Sequence, residues 1–186
     1  IASYALAALV AATLGKDRLG PDEDTIRNSL SGVLRGLGEG FRQLVQHPVA
    51  GRAVLVVMLH RVAFGALTVI GILLVRNTLN PSSDPDDALK QFALTTAGAA
   101  IGALIGAVVT PGMTRRIGFV TWTCIAIAQA VPLVTVAVFI GAYAKSMPAL
   151  MVAALSLGFA GQSAKVSSDT LVQREIDDDY LGRVFS

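Results

Sequence analysis

The fold class this sequence predicts is an all-α, polytopic helical membrane protein, and three observations carry the prediction. Apolar residues make up 53% of the chain and charged residues only 15%, where an ordinary soluble domain carries about 25% charged residues. The charges are also segregated, with every acidic residue falling within 17–39, 84–87 or 169–179. Finally, residues 91–114, 117–144 and 146–164 carry no charge, and 53–75 is interrupted only by His60 and Arg61. A helix needs about 20 apolar residues to cross the hydrocarbon core of a bilayer. Barrel strands would show alternation over about 10 residues, and these tracts show none. A chain of 186 residues has too few polar outer elements to bury four all-apolar helices in a water-soluble core.

Taken in order, residues 1–14 read as the end of a membrane-crossing helix that begins upstream, without the basic flank or small-residue boundary of a signal peptide. Residues 15–50 form a polar connector. Within it Ile26, Leu30, Val33, Leu34, Leu37, Phe41, Leu44 and Val45 recur at helical spacing, and Asp24 or Thr25 would cap the helix. With Arg27, Arg35 and Arg42 beside that stripe, two readings stay open: a helix lying along the membrane surface, or one packed on protein. His47-Pro48 ends it. Residues 51–166 hold four spans, at about 52–75, 89–110, 119–144 and 149–164. An acidic turn, Asn77–Asp87, separates the first two. Pro111-Gly112 is expected to end the second span, and Lys145–Pro148 makes a tight turn before the fourth. Residues 167–186 are read as a polar loop and the start of a further helix. Cys124 is the single cysteine; it excludes an internal disulfide and is read as packing.

Orientation follows from the basic residues. The connector extended to Arg52, the 115–116 turn and the tail after 164 collect eleven of them, and the opposite side keeps only Arg76, Lys90 and Lys145. This predicts a multi-pass protein of the cell membrane with connector and C-terminal end in the cytoplasm. Trp122 and Tyr143, near opposite ends of the third span, fit an aromatic belt.

Three strings carry a family resemblance. Gly40–Gly51 (GFRQLVQHPVAG) resembles the connector end entering the seventh helix of major facilitator superfamily transporters, in the drug-efflux and siderophore-export branches. Pro111–Gly118 (PGMTRRIG) resembles the second-half copy of the G-x-x-x-D-R-x-G turn, with Arg116 and Gly118 matching and Pro111 and Arg115 departing. Leu171–Ser186 (LVQREIDDDYLGRVFS) resembles the loop VQR-x-x-P-D-x-x-R-G-R-V-F, with Asp177 and Leu181 departing. The resemblance implies a fragment running from the end of helix six to the start of helix eleven, with the four spans as helices seven to ten. It further implies an N-terminal half outside this sequence, alternating access, and a small-molecule substrate in a cavity between the halves.

His60 and Arg61 are the informative polar pair. A charged side chain near the bilayer centre costs about 2.5–3.5 kcal/mol on insertion scales, so it faces protein or water. Arg61 shares a helical stripe with Gly65, Thr68 and Ile72. If the resemblance holds, the first full span lines the cavity, which makes Arg61 a candidate for an anionic substrate group; a static interhelical partner is the other reading. His60 lies about 100° away, and its ordinary pKa of about 6.5 suits proton coupling; a neutral, packed histidine is the alternative. Thr68, Ser156 and Gln162 are further substrate-contact candidates, the last two because the resemblance turns the fourth span toward the cavity. Gly98, Gly102 and Gly106 recur every fourth residue and form a groove for close helix approach; the resemblance places this helix between the halves, where the groove would serve a gate, and constant packing within one half is the other reading. Arg115, Arg116 and Gly118 make a cytoplasmic turn, where the arginines either brace helix ends or only set topology. Gln129 and Pro132 read as a kink and its hydrogen-bond partner.

There is no G-x-x-x-x-G-K-[ST] phosphate loop, no Cys/His cluster and no Ser/His/Asp set, so no cofactor, metal or enzymatic activity is expected. Nor is a nucleic-acid partner; the expected partners are the lipid bilayer, the remaining half and a small molecule. What the resemblance implies is secondary, proton-coupled export of small, fairly apolar molecules, the direction on that resemblance alone. A non-transporting membrane scaffold or receptor and a secondary uptake permease remain as alternatives.

Overall fold

The computed structural model describes residues 30–79 and 85–176, which form five α-helices with no strand among them. The helix end at 1–14, the connector up to residue 29, the 80–84 turn and the stretch after Ile176 lie outside the described residues. Helix α1 is Leu30–Gln46. Helix α2 is Pro48–Leu74, widening into a π-helical turn at Val75–Leu79. Helices α3, α4 and α5 are Pro85–Ile117, Phe119–Tyr143 and Met147–Glu175.

Helices α2 to α5 are each long and apolar enough to cross a membrane. Their outer faces are hydrocarbon: Val62 is 72% exposed and Val108 80%. A water-soluble protein does not present four such surfaces side by side, so the chain is a polytopic membrane protein.

Helix α5 is the centre of the bundle, packing on α3 most extensively, then on α4 and α2. Its direction relative to each neighbour follows from paired residues. Gly98, Gly102 and Gly106 of α3 face Met151, Leu155 and Phe159 in step, so α3 and α5 run parallel. Ala50 of α2 clusters with Val172 while His60 meets Gly161, so α2 is antiparallel to α5. On α4, Gln129 bonds Ser156 and Gly141 meets Leu150, again antiparallel.

The glycine stripe is thus filled by α5 of this same chain. A Cβ on Gly102 would collide with the Leu155 carbonyl, and one on Gly158 with the carbonyl of Ala99. Small residues on both helices let the backbones touch, as membrane helices require in the absence of a hydrophobic drive between them.

Several boundaries differ from those expected. Pro111 does not end the second span, because α3 continues to Ile117. A proline removes the N–H that would meet the Ala107 carbonyl, but the turns on either side are held. Thr110 and Thr114 are buried, Thr114 Oγ1 donates back to the Thr110 and Pro111 carbonyls, and Trp122 Nε1 donates to Thr110 Oγ1 at 3.0 Å. The helix of the fourth span, α5, does not stop near Ala164 but runs to Glu175. The residues read there as a loop bury Ser167, Ser168 and Val172 and add a Lys165–Asp169 pair one turn apart. That end of α5 also reaches its neighbours: Arg174 lies 4.9 Å over the Phe119 ring, and Glu175 is 4.0 Å from His47 Nδ1. Trp122 is not a lipid-facing belt residue, being buried edge-on against Phe159, whereas Tyr143 is exposed beside Phe139. Cys124 is exposed on α4 rather than packed.

Helix α1 keeps Leu37, Phe41 and Val45 exposed, and Leu44 packs on the Ala50, Val172 and Ile176 cluster. His47 is the bend, and Pro48 opens α2 in the first turn, where its missing N–H would have had no intrahelical acceptor.

Candidate functional site: apolar cavities beside helix α2

Helix α2 leans on α5 but leaves space on either side. One cavity, of about 210 Å³, is bounded chiefly by α2, α3 and α5. Phe64 and Thr68 line it from α2, and Phe92, Thr95 and Thr96 from α3. A second, of about 500 Å³, opens between α2 and α4 over α5 and is lined by His60, Leu59, Ile127 and Thr135. Leu67, Val134, Val138 and Leu157 border both spaces.

The structure separates the residues the sequence nominated. Thr68 lines the smaller cavity and donates from Oγ1 to the Phe64 carbonyl at 2.7 Å. His60 lines the larger one; its ring lies against Gly161, where any Cβ would strike it, and is tilted 41° to the Phe64 ring at 6.4 Å. Arg61 lines neither cavity and points outward on α2, making no ion pair or hydrogen bond with a described residue. Gly65 and Ile72 of its stripe are likewise exposed.

Ser156 does not face either cavity. It is 2% exposed and donates to Gln129 Oε1 at 3.1 Å, inside the α4–α5 contact. Gln129 also donates from Nε2 to the Ala126 carbonyl, so it ties α4 to α5 instead of serving the carbonyl freed by Pro132. Gln162 is half-buried, its Cβ beside Gly106 of α3. Arg115 and Arg116 are exposed in the last turn of α3. The link to α4 is the single residue Gly118, at φ 86° and ψ 159°.

Sequence reasoning missed Phe92, Thr95 and Thr96. Their signal was present: Thr95 stands one turn before Ala99, on the stripe flanking the glycines. Threonine pairs beside apolar residues are nevertheless ordinary in helices, and only the gap left between α2 and α3 gives this pair a role. Among the described residues, no group of His, Cys, Asp and Glu is placed to hold a metal ion.

No family model matches the chain, and no solved structure matches it significantly. Two curated proteins do: uncharacterized MFS-type transporters of Mycobacterium bovis and of Mycobacterium tuberculosis, each 30% identical over an alignment covering 97% of this chain and 40% of the relative. The chain therefore spans less than half the length of the curated relatives it matches. Along nearly all of its own length, this membrane-spanning chain is similar to a portion of MFS-type transporters.

Proposed function

We propose that the chain is part of a major facilitator superfamily transporter that exports small, fairly apolar molecules by alternating access, driven by a proton gradient. The observation that carries the reading is the cavity between α2 and α3, walled by hydrocarbon, two phenyl rings and three hydroxyls. Such a lining accepts an apolar body and orients it through few polar contacts. The similarity to MFS-type transporters supports transport as the activity; direction, coupling ion and the absence of catalysis are part of the proposal. In this reading Arg61, exposed and without a partner among the described residues, faces the half of the protein outside this chain. There it meets either an acidic side chain or an anionic group of the substrate. The end of the bundle formed by His47, Gly118 and Glu175 is assigned to the cytoplasm, on the charge asymmetry alone.

The test uses the full-length protein in proteoliposomes with an imposed pH gradient. Export of an apolar fluorescent dye that stops when a protonophore collapses the gradient is the expected result; export indifferent to the gradient removes the proton coupling, and none at all removes the transporter. Arg61→Ala is expected to lower export at least about tenfold with insertion intact, as loss of one charged contact does, and unchanged kinetics would take Arg61 out of the site. His60→Gln is expected to flatten the dependence of export rate on pH.

A further inference from the structure

The smaller cavity is polar in one sense only. Thr68, Thr95 and Thr96 are its hydroxyl-bearing walls, and the other lining residues are hydrocarbon or glycine. A hydroxyl has one proton to give and lone pairs to receive. Each of the three protons is already committed to a carbonyl one turn back on its own helix: Thr68 to Phe64 at 2.7 Å, Thr95 to Gln91 at 3.0 Å, and Thr96 to Phe92 at 3.0 Å. Met147 Sδ, 3.9 Å from Thr95 Oγ1, draws on the same proton. The backbone N–H groups of the wall are spent inside α2, α3 and α5. What the cavity offers is therefore oxygen lone pairs, made stronger acceptors by the bonds their own protons make, and no donor that is not already committed to a carbonyl. Arg61, which would supply donors, does not line it, and His60 belongs to the neighbouring space.

We infer that this cavity selects small, ring-bearing apolar molecules that carry an O–H or N–H donor, and rejects the same molecules once that donor is capped. The inference rests on the cavity being the substrate site proposed above and narrows the chemical class it takes. Phe64 and Phe92 offer ring faces or edges to an aromatic body. A ligand whose polar group is only an acceptor would lose its water there and find no partner.

The full-length protein in lipid nanodiscs tests this with a matched pair of probes, 1-naphthol and 1-methoxynaphthalene, read by equilibrium binding with partitioning into empty nanodiscs subtracted. Naphthol is expected to bind about tenfold more tightly, the net worth of one neutral hydrogen bond. Thr68→Val and Thr95→Val keep volume and β-branching but remove the acceptor, and each is expected to shrink the preference. The triple variant with Thr96→Val should abolish it, while the corresponding serine variants retain it. Equal binding of the two probes, binding of neither, or a preference undiminished in a folded triple variant would overturn the inference. Export in proteoliposomes is scored separately. Equal export of both probes leaves the transporter standing and removes the donor rule. A donor preference in binding without export of either leaves the rule and removes the transporter.

Discussion

Gly118 joins α3 to α4 with a backbone conformation, φ 86° and ψ 159°, that side chains scarcely permit. It lies in the region that is essentially glycine's alone, where a substituted residue costs about 1–3 kcal/mol. Nothing stands within 4 Å of a Cβ built there, so the cost is conformational rather than a clash. Gly118→Ala is expected to lower the thermal midpoint in detergent by several degrees, and a midpoint unchanged from the parent would show that the turn relaxes freely. Trp122→Phe is the complementary case. The smaller ring leaves part of the space against Phe159 empty and Thr110 Oγ1 loses its donor, for a combined cost of about 2 kcal/mol measured by the same melt. Roles of this kind were only partly legible. Gly118 was recognisable by its place in a two-arginine turn. Trp122 was misread because position along a span says nothing about which side of the helix a ring occupies. The bond from Ser156 to Gln129 was equally hidden, since its partner lies on another helix.

At the scale of the helix, glycine spacing was informative and proline was misleading. Gly98, Gly102 and Gly106 announced a close crossing, and α5 fills it; nothing within α3 itself named the partner. The contact makes a graded prediction. Gly102→Ala places a methyl into the Leu155 carbonyl and is expected to cost about 3 kcal/mol, toward the upper end of the usual overpacking penalty, and Gly102→Leu is expected to prevent folding altogether. Gly112→Ala, with nothing within 4 Å of the added carbon, should be neutral or gain up to about 1 kcal/mol from helix propensity. Protease protection of the three variants in native membranes ranks them, and a Gly102→Leu protein that folds but no longer exports would instead assign the crossing to gating. Pro111 was read as a stop because a proline ends most water-soluble helices. In α3 its neighbours Thr110 and Thr114 are buried and hydrogen-bonded, and tertiary contacts override the local signal. The extension of α5 past Ala164 was hidden for a related reason. Its serines and charges resemble a loop by composition, yet Ser167, Ser168 and Val172 are buried against neighbouring helices.

For the whole molecule, the long uncharged tracts were sufficient to foresee a helical bundle in lipid, since hydrocarbon demands that each span satisfy its own backbone. The arrangement of spans around α5 was not legible, because helices apolar on every side carry no stripe to say which face turns inward. The cavities are a consequence of that arrangement, formed where α2 stands off from α3 and α4. The solvent requirement is directly measurable. The purified protein is expected to be monodisperse in detergent and to precipitate on its removal, and a monodisperse species in plain buffer would contradict the membrane assignment.

Helix α5 runs unbroken from the cavity wall at Leu157 to Glu175, beside the bend at His47. Those 18 residues make a rod of about 27 Å, at roughly 1.5 Å per residue. A tilt of about 10° pivoting at Leu157 would displace its far tip by about 5 Å, on the same rise per residue. That is enough to draw Glu175 away from the imidazole and Arg174 off the Phe119 ring. The cavity wall at Leu157 and the Arg174 and Glu175 contacts at the far end of the bundle are thus carried on one uninterrupted rod, packed along its length by Ala160, Ser163, Ala164, Ser167 and Val172.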